Sequence, residues 1–254
     1  MNKVVNIAII ILLAIFISFR INVACNELAR EKQIEAPQAD TKIELPAFYT
    51  GVLPCASCPG IQYWLILKKD HYEEISRYQD RDPADFSKTG LWTLANDTLR
   101  ILDDDHQTVK IFLYDDDVLE LLDREENLID TVHPESIRLT KSTESRSIYQ
   151  QHQKLKEEGV RLIASGNEPF WSVRIEGENK LNFLTPDSTH SFDINKPSGS
   201  DDKLNYSAEQ DFGKFHLNLE EKYCQDTMSG YLFTHTATIE IAGNSMDGCA
   251  VFLD

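Results

Sequence analysis

The strongest constraint on what this chain can fold into is the rhythm of residues 45–141. Short runs of alternating apolar side chains are cut by turn residues before any helix has room to form. Ile61, Tyr63, Leu65 and Leu67 share one face of such a run. Trp64 and Ile66 lie on the other face, so this strand is expected to be covered on both sides. Phe48–Val52, Tyr72–Tyr78, Lys88–Leu94, Asp97–Leu102, Thr108–Tyr114, Val118–Asp123 and Ser136–Thr140 continue the pattern. Lys69-Asp70, Ala95-Asn96 and the aspartate triplets 103–105 and 115–117 separate them. About eight short strands with no long helix predict a small antiparallel barrel or sandwich.

The pattern breaks at 142–159. Residues 142–158 are rich in Gln, Glu and Lys, lack Gly and Pro, and carry sparse apolar side chains at Ile148, Tyr149 and Leu155. This predicts a polar connecting helix ending at Gly159. Residues 160–254 then return to strands at Val160–Ala164, Trp171–Ile175, Lys180–Leu184, Ser191–Ile194, Leu204–Ala208, Lys214–Leu219, Leu232–Ile241 and Ala250–Leu253. Gly177-Glu178-Asn179, Pro197-Ser198-Gly199 and Gly243-Asn244 are their turns. The expected fold is all-β: two small antiparallel barrel or sandwich domains, 45–141 and 160–254, joined by a polar helical linker.

The first residues carry a different signal. Lys3 is followed by Ile7–Phe19, an uncharged and mostly apolar run of the length of a signal-peptide core, shorter than a membrane span. Ile21-Asn22-Val23-Ala24-Cys25 resembles a bacterial lipobox, in which the cysteine is lipidated and becomes the first residue of the mature chain. Residues 1–24 are therefore expected to be a signal peptide, and 25–44 a lipid anchor on Cys25 with a flexible tether. The expected location is the bacterial cell envelope, lipid-anchored to a membrane, with the outer membrane favoured. Cleavage removes two basic side chains and no acidic one, moving the net charge from −17 to −19. Such a surface repels nucleic acid, which is excluded as a partner.

Export makes the cysteines informative, because paired thiols become disulfides in an oxidising compartment. The five divide into the anchor Cys25, a close pair, Cys55 and Cys58, and a distant pair, Cys224 and Cys249. The distant pair is expected to be a structural disulfide. The close pair lies in Gly51-Val52-Leu53-Pro54-Cys55-Ala56-Ser57-Cys58-Pro59-Gly60, and Pro54, Pro59 and Gly60 bend the backbone around it. Two thiols at this spacing can close into a disulfide, chelate a soft metal such as Cu(I), or act in redox catalysis. Catalysis is disfavoured, because Pro59-Gly60 runs into a strand pattern where thiol activation needs a helix N-terminus. Metal binding lacks nearby auxiliary ligands: Met228 and Met246 lie in the second half, and His71 sits in a turn. His235 falls among apolar positions of its strand and is expected to be a core histidine with a polar partner. The aspartate triplets lack calcium-loop spacing and are expected to be solvated turns. No nucleophile elbow, P-loop, dinucleotide fingerprint or zincin motif occurs, and the chain is expected not to be an enzyme.

The stretch Gly51–Ile61, with the apolar strand, charged turn, aromatic strand and Gly90-Leu91-Trp92 that follow, resembles the N-terminal domain of NlpE-type copper-resistance lipoproteins. The resemblance implies a lipocalin-like barrel over 45–141, a role in copper homeostasis and envelope-stress or surface sensing, and an envelope signalling partner. It marks Cys55 and Cys58 as candidate metal residues, with copper as the candidate cofactor. The second half resembles small envelope-associated domains through Gly166-Asn167-Glu168-Pro169-Phe170-Trp171, Cys224–Ser229 and Gly248-Cys249-Ala250, a likeness that implies no activity. The alternative function is a lipocalin-like module that holds a small apolar ligand, its thiols merely structural.

Overall fold

The computed structural model describes residues 43–81, 85–131, 133–200, 202–210 and 213–253. Cys25, the signal peptide and most of the tether lie outside these residues.

Nine strands form the first sheet: β1 (Ala47–Leu53), β2 (Ile61–Leu67), β3 (Tyr72–Tyr78), β4 (Asp85–Gly90), β5 (Trp92–Ala95), β6 (Thr98–Leu102), β7 (Thr108–Asp115), β8 (Val118–Leu121) and β9 (Arg138–Lys141). Their order is β4-β3-β2-β1-β9-β8-β7-β6-β5, with every pair antiparallel. The chain is thus an up-and-down meander whose first and last strands pair, Tyr49 opposite Lys141. The seam lies mid-chain, between β4 and β5. These two are consecutive stretches of one bent strand, the first paired with β3 and the second with β6. Gly90 makes the bend: a Cβ there would lie 2.4 Å from the Leu102 carbonyl oxygen. Leu102 N–H donates to the Leu91 carbonyl (2.9 Å), and the barrel is nearly closed. The expected single strand Lys88–Leu94 is this bent pair.

Inward-facing Tyr63, Leu65, Leu67, Leu99, Ile101, Phe112, Leu119 and Leu139 form the core. Each buried Leu or Phe contributes about 1.5–3 kcal/mol. Trp92 is buried at one end of the barrel, its indole N–H donating to the Lys68 carbonyl (2.9 Å).

The second sheet contains β10 (Val160–Asn167), β11 (Phe170–Glu176), β12 (Lys180–Leu184), β13 (Thr189–Asp193), β14 (Ser198–Ser200), β15 (Lys203–Gln210), β16 (Gly213–Gln225), β17 (Leu232–Ile241) and β18 (Asn244–Phe252). Its order, β13-β12-β11-β10-β18-β17-β16-β15-β14, repeats that of the first sheet position for position. It curls into a half-barrel whose interior is filled by Phe183, Phe192 and Phe215, with ring centroids 4.8–5.5 Å apart. Several strand boundaries differ from expectation, most at β14, β16 and β18. Ser198–Ser200 was expected as a turn and pairs with β15; β16 runs on to Gln225; β18 begins at Asn244.

Helix α1 (Thr143–Glu157) joins the sheets. Ser142 caps it by accepting from Ser145 N–H (3.1 Å), and Gly159, at φ +91°, ends it in the left-handed conformation. Ser145, Ile148, Tyr149, His152 and Leu155 recur at helical spacing on one face. Tyr149 meets Phe48 of β1 (5.6 Å between rings), and His152 meets Tyr231 and Phe233 at the start of β17 (5.4 and 5.8 Å). The helix is therefore wedged between the sheets and covers the outer face of β1–β2, where Trp64 is buried.

Candidate functional site

The loop Pro54–Gly60 joins β1 to β2 at the end of the barrel opposite to where the chain enters and leaves. Cys55 and Cys58 are joined there by a disulfide (S–S 2.01 Å). Strands flank the loop on both sides, so no helix N-terminus addresses either sulfur. The loop is pinned to the β3–β4 connection. Gln79 N–H donates to the Gly60 carbonyl (3.1 Å), and Arg81 donates to both the hydroxyl and the carbonyl oxygen of Ser57. The Arg81 guanidinium also lies over the Tyr78 ring (5.6 Å).

A cavity of about 660 Å³ opens beneath the loop. It exists because the inward faces of β3 and β4 carry Glu74, Ser76, Phe86 and Lys88 there, where the other end of the barrel is filled by Tyr72 and Trp92. Glu74 is 4 % exposed. Lys110 of β7 reaches across to lie 2.9 Å from both its carboxylate oxygens, and the Tyr63 hydroxyl donates to it at 2.5 Å. Burial, then the charge of Glu74, pushes the Tyr63 pKa well above its usual value, so the hydroxyl remains a donor. Such a pair adds little net stability but is costly to break, by about 3–5 kcal/mol when fully buried, and it fixes how β3 faces β7.

As it stands, the disulfide offers a metal no thiolate; reduced, it would offer two soft ligands, a set suited to Cu(I). Among the described residues no third ligand is at hand: His71 is engaged with Asp70 (2.8 Å), and Met228 is exposed in the turn between β16 and β17. Among the described residues, no group of three His, Cys, Asp or Glu side chains is placed to hold a metal ion.

Comparison with known proteins bears on this half. The family model described as the NlpE N-terminal domain matches residues 49–132. These residues hold the disulfide loop and most of the barrel. They are similar to NlpE N-terminal domains. The lipoprotein NlpE of Escherichia coli strain K12 is 33% identical over 127 residues, covering 49% of this chain and 53% of that protein. The chain thus spans about half the length of this curated relative. Among solved structures, a lipoprotein from Shewanella oneidensis is 29% identical, with TM-score 0.36, covering 42% of this chain and 98% of that one. The structure titled Cpx pathway activator NlpE from Escherichia coli is 18% identical, with TM-score 0.33, covering 80% and 95%.

In the segment that matches this family model the aspartate triplets make turns. Asp103 accepts from the backbone N–H groups of Asp105 and Gln107, and Asp116 accepts from Lys141 and Tyr114. Cys55 and Cys58 were singled out in the sequence as a candidate pair, and they form a disulfide. The Glu74–Lys110–Tyr63 cluster and Arg81 were not singled out. Their signal was a carboxylate at Glu74, on the face of β3 that Tyr72 and Tyr78 mark as inward.

Beyond the matched segment, Cys224 and Cys249 join the end of β16 to β18 across β17 (S–S 1.98 Å). The three motifs of the second half converge beside this bridge. Trp171 is 3 % exposed and lies flat against two glycines. A Cβ at Gly166 would fall 2.3 Å from its indole nitrogen, and one at Gly248 would fall 2.6 Å from its ring. Asn167 donates to Asp226 (2.7 Å), which also accepts from the Ser229 backbone and hydroxyl (both 2.7 Å). Burial raises the Asp226 pKa, but these hydrogen bonds outweigh it and hold the carboxyl low. The motifs thus build a packed corner, and Glu168 stands exposed at its edge. His235 is half buried, edge-on to Phe252 (5.1 Å), with Nδ1 2.8 Å from the Thr234 hydroxyl.

Proposed function

We propose that the chain is an envelope lipoprotein of the NlpE kind. Cys25 carries its lipid anchor, favouring the outer membrane, and it reports envelope stress to a signalling partner without enzymatic chemistry. The observation that carries this reading is the disulfide loop within the segment that matches the NlpE N-terminal domain. The loop closes a ring of sequence separation 3, which by chain entropy contributes only about 1.5 kcal/mol. So small a structural return favours a functional role. Copper enters the proposal as Cu(I), bound by Cys55 and Cys58 once the bridge is reduced.

The experiment expresses the full chain with an envelope-stress reporter, beside a Cys25→Ser variant and a Cys55→Ser/Cys58→Ser variant. The chain should fractionate with membranes and induce the reporter; Cys25→Ser should abolish both. Unchanged fractionation of Cys25→Ser counts against lipidation, and a silent reporter counts against sensing. Titration of the reduced protein with Cu(I) should show one site that the double serine variant lacks. Equal affinity in both removes the copper role. A second reading, a binding module for a small ligand, is favoured by the cavity beneath the loop.

A further inference from the structure

The cavity beneath the disulfide loop has a charge balance opposite to that of the whole chain. The chain carries 42 acidic side chains against 25 basic ones. The cavity is lined by three cations, Arg81, Lys88 and Lys110, and one carboxylate, Glu74. Glu74 already takes the Lys110 ammonium on both oxygens. Lys88 stands opposite Glu74 in the β3–β4 register, on the same inward face, and Arg81 stands at the loop. Among the described residues neither Lys88 nor Arg81 forms an ion pair. In a partly enclosed space such cations attract an anion more strongly than on open surface, because the effective dielectric constant is lower. The remaining walls are largely apolar: Leu53, Ile61, Tyr78 and Phe86, the last left 50% exposed at the lip.

We propose that this cavity binds a small amphipathic anion, with a carboxylate or phosphate headgroup at Lys88 and Arg81 and an apolar tail against Ile61, Tyr78 and Phe86. The inference deepens the binding-module reading and rests on it. The volume of about 660 Å³ lies within the range of small-molecule sites. The ligand class follows from the pairing of cations with an aromatic wall.

The test is calorimetric titration of the delipidated full chain with laurate, lauryl phosphate and neutral lauryl alcohol. One-to-one saturable binding of an anion, at least tenfold tighter than the alcohol, is expected. The tighter of the two anions identifies the headgroup. Lys88→Gln should weaken the anion about tenfold, the scale of one charge-assisted hydrogen bond, and leave the alcohol unchanged. Lys88→Gln/Arg81→Gln should weaken it further. Both side chains are exposed, so unchanged thermal midpoints should confirm intact folds. Equal binding of alcohol and anion overturns the anion inference and spares the binding module. No saturable binding of any of the three overturns both.

Discussion

Two residues carry consequences that the sequence pattern did not announce. His152 is 7 % exposed on the inward face of α1, and burial lowers its pKa from 6.5 to about 4. The unfolded chain therefore binds a proton at this residue between those values while the folded chain does not. Stability is greatest above pH about 6.5 and falls as pH drops through this window, by up to about 3 kcal/mol. Urea unfolding of the chain and of His152→Leu should diverge in slope between pH 7 and pH 4. Parallel profiles would show that His152 titrates normally. Gly166 is the second case. Placing a methyl 2.3 Å from the Trp171 indole nitrogen and 2.4 Å from the Asp247 carbonyl, Gly166→Ala should lower stability by about 1–3 kcal/mol in the same assay. The sequence offered Gly166 and Trp171 as parts of a motif, but their contact runs between paired positions of β10 and β11, which only the register reveals. The cluster of Glu74 and Lys110 was hidden for the same reason: its members lie 36 residues apart on strands that do not pair.

At the scale of elements, the two disulfides should behave differently. Cys224 and Cys249 close a loop of sequence separation 25, and Cys55 and Cys58 one of 3. Chain entropy alone assigns about 3.5 kcal/mol to the first and about 1.5 kcal/mol to the second. Cys224→Ala/Cys249→Ala should accordingly cost about twice as much unfolding free energy as Cys55→Ser/Cys58→Ser, and equal losses would refute that ordering. Most strands were legible because an inward apolar face alternates with an outward polar one. The strands that escaped lack that face. β14 is three exposed residues, held only by its backbone ladder to β15. The start of β18, Asn244–Asp247, shows no apolar alternation, and the start of β4, Asp85–Ser87, carries a single apolar side chain, Phe86. The helix, by contrast, was plain from composition, while its docking against both sheets depended on His152 completing a stripe that looked too sparse to bury.

On the scale of the whole molecule, two meanders of one plan are joined by a wedged helix, and Arg77 adds a bond from the first to the Tyr223 carbonyl of the second (2.9 Å). The chain's net charge of −17 repels itself. Raising ionic strength from about 0.01 M to about 0.15 M shortens the screening length from about 30 Å to about 8 Å. The thermal midpoint at pH 7 should rise by a few degrees, and a flat response would mean that the charges are already locally matched. The shared strand order also bears on how the first barrel would stand on a surface. Because β1 and β9 run side by side in opposite directions, the polypeptide comes in and goes out through one rim, and the disulfide loop crowns the other. A seven-residue strand separates these rims by about 20 Å. If Cys25 is the tie to a bilayer, that tie pulls on the far rim, and the crown, with Arg81 and Phe86 around it, is held up toward the aqueous space as the outermost surface of the barrel.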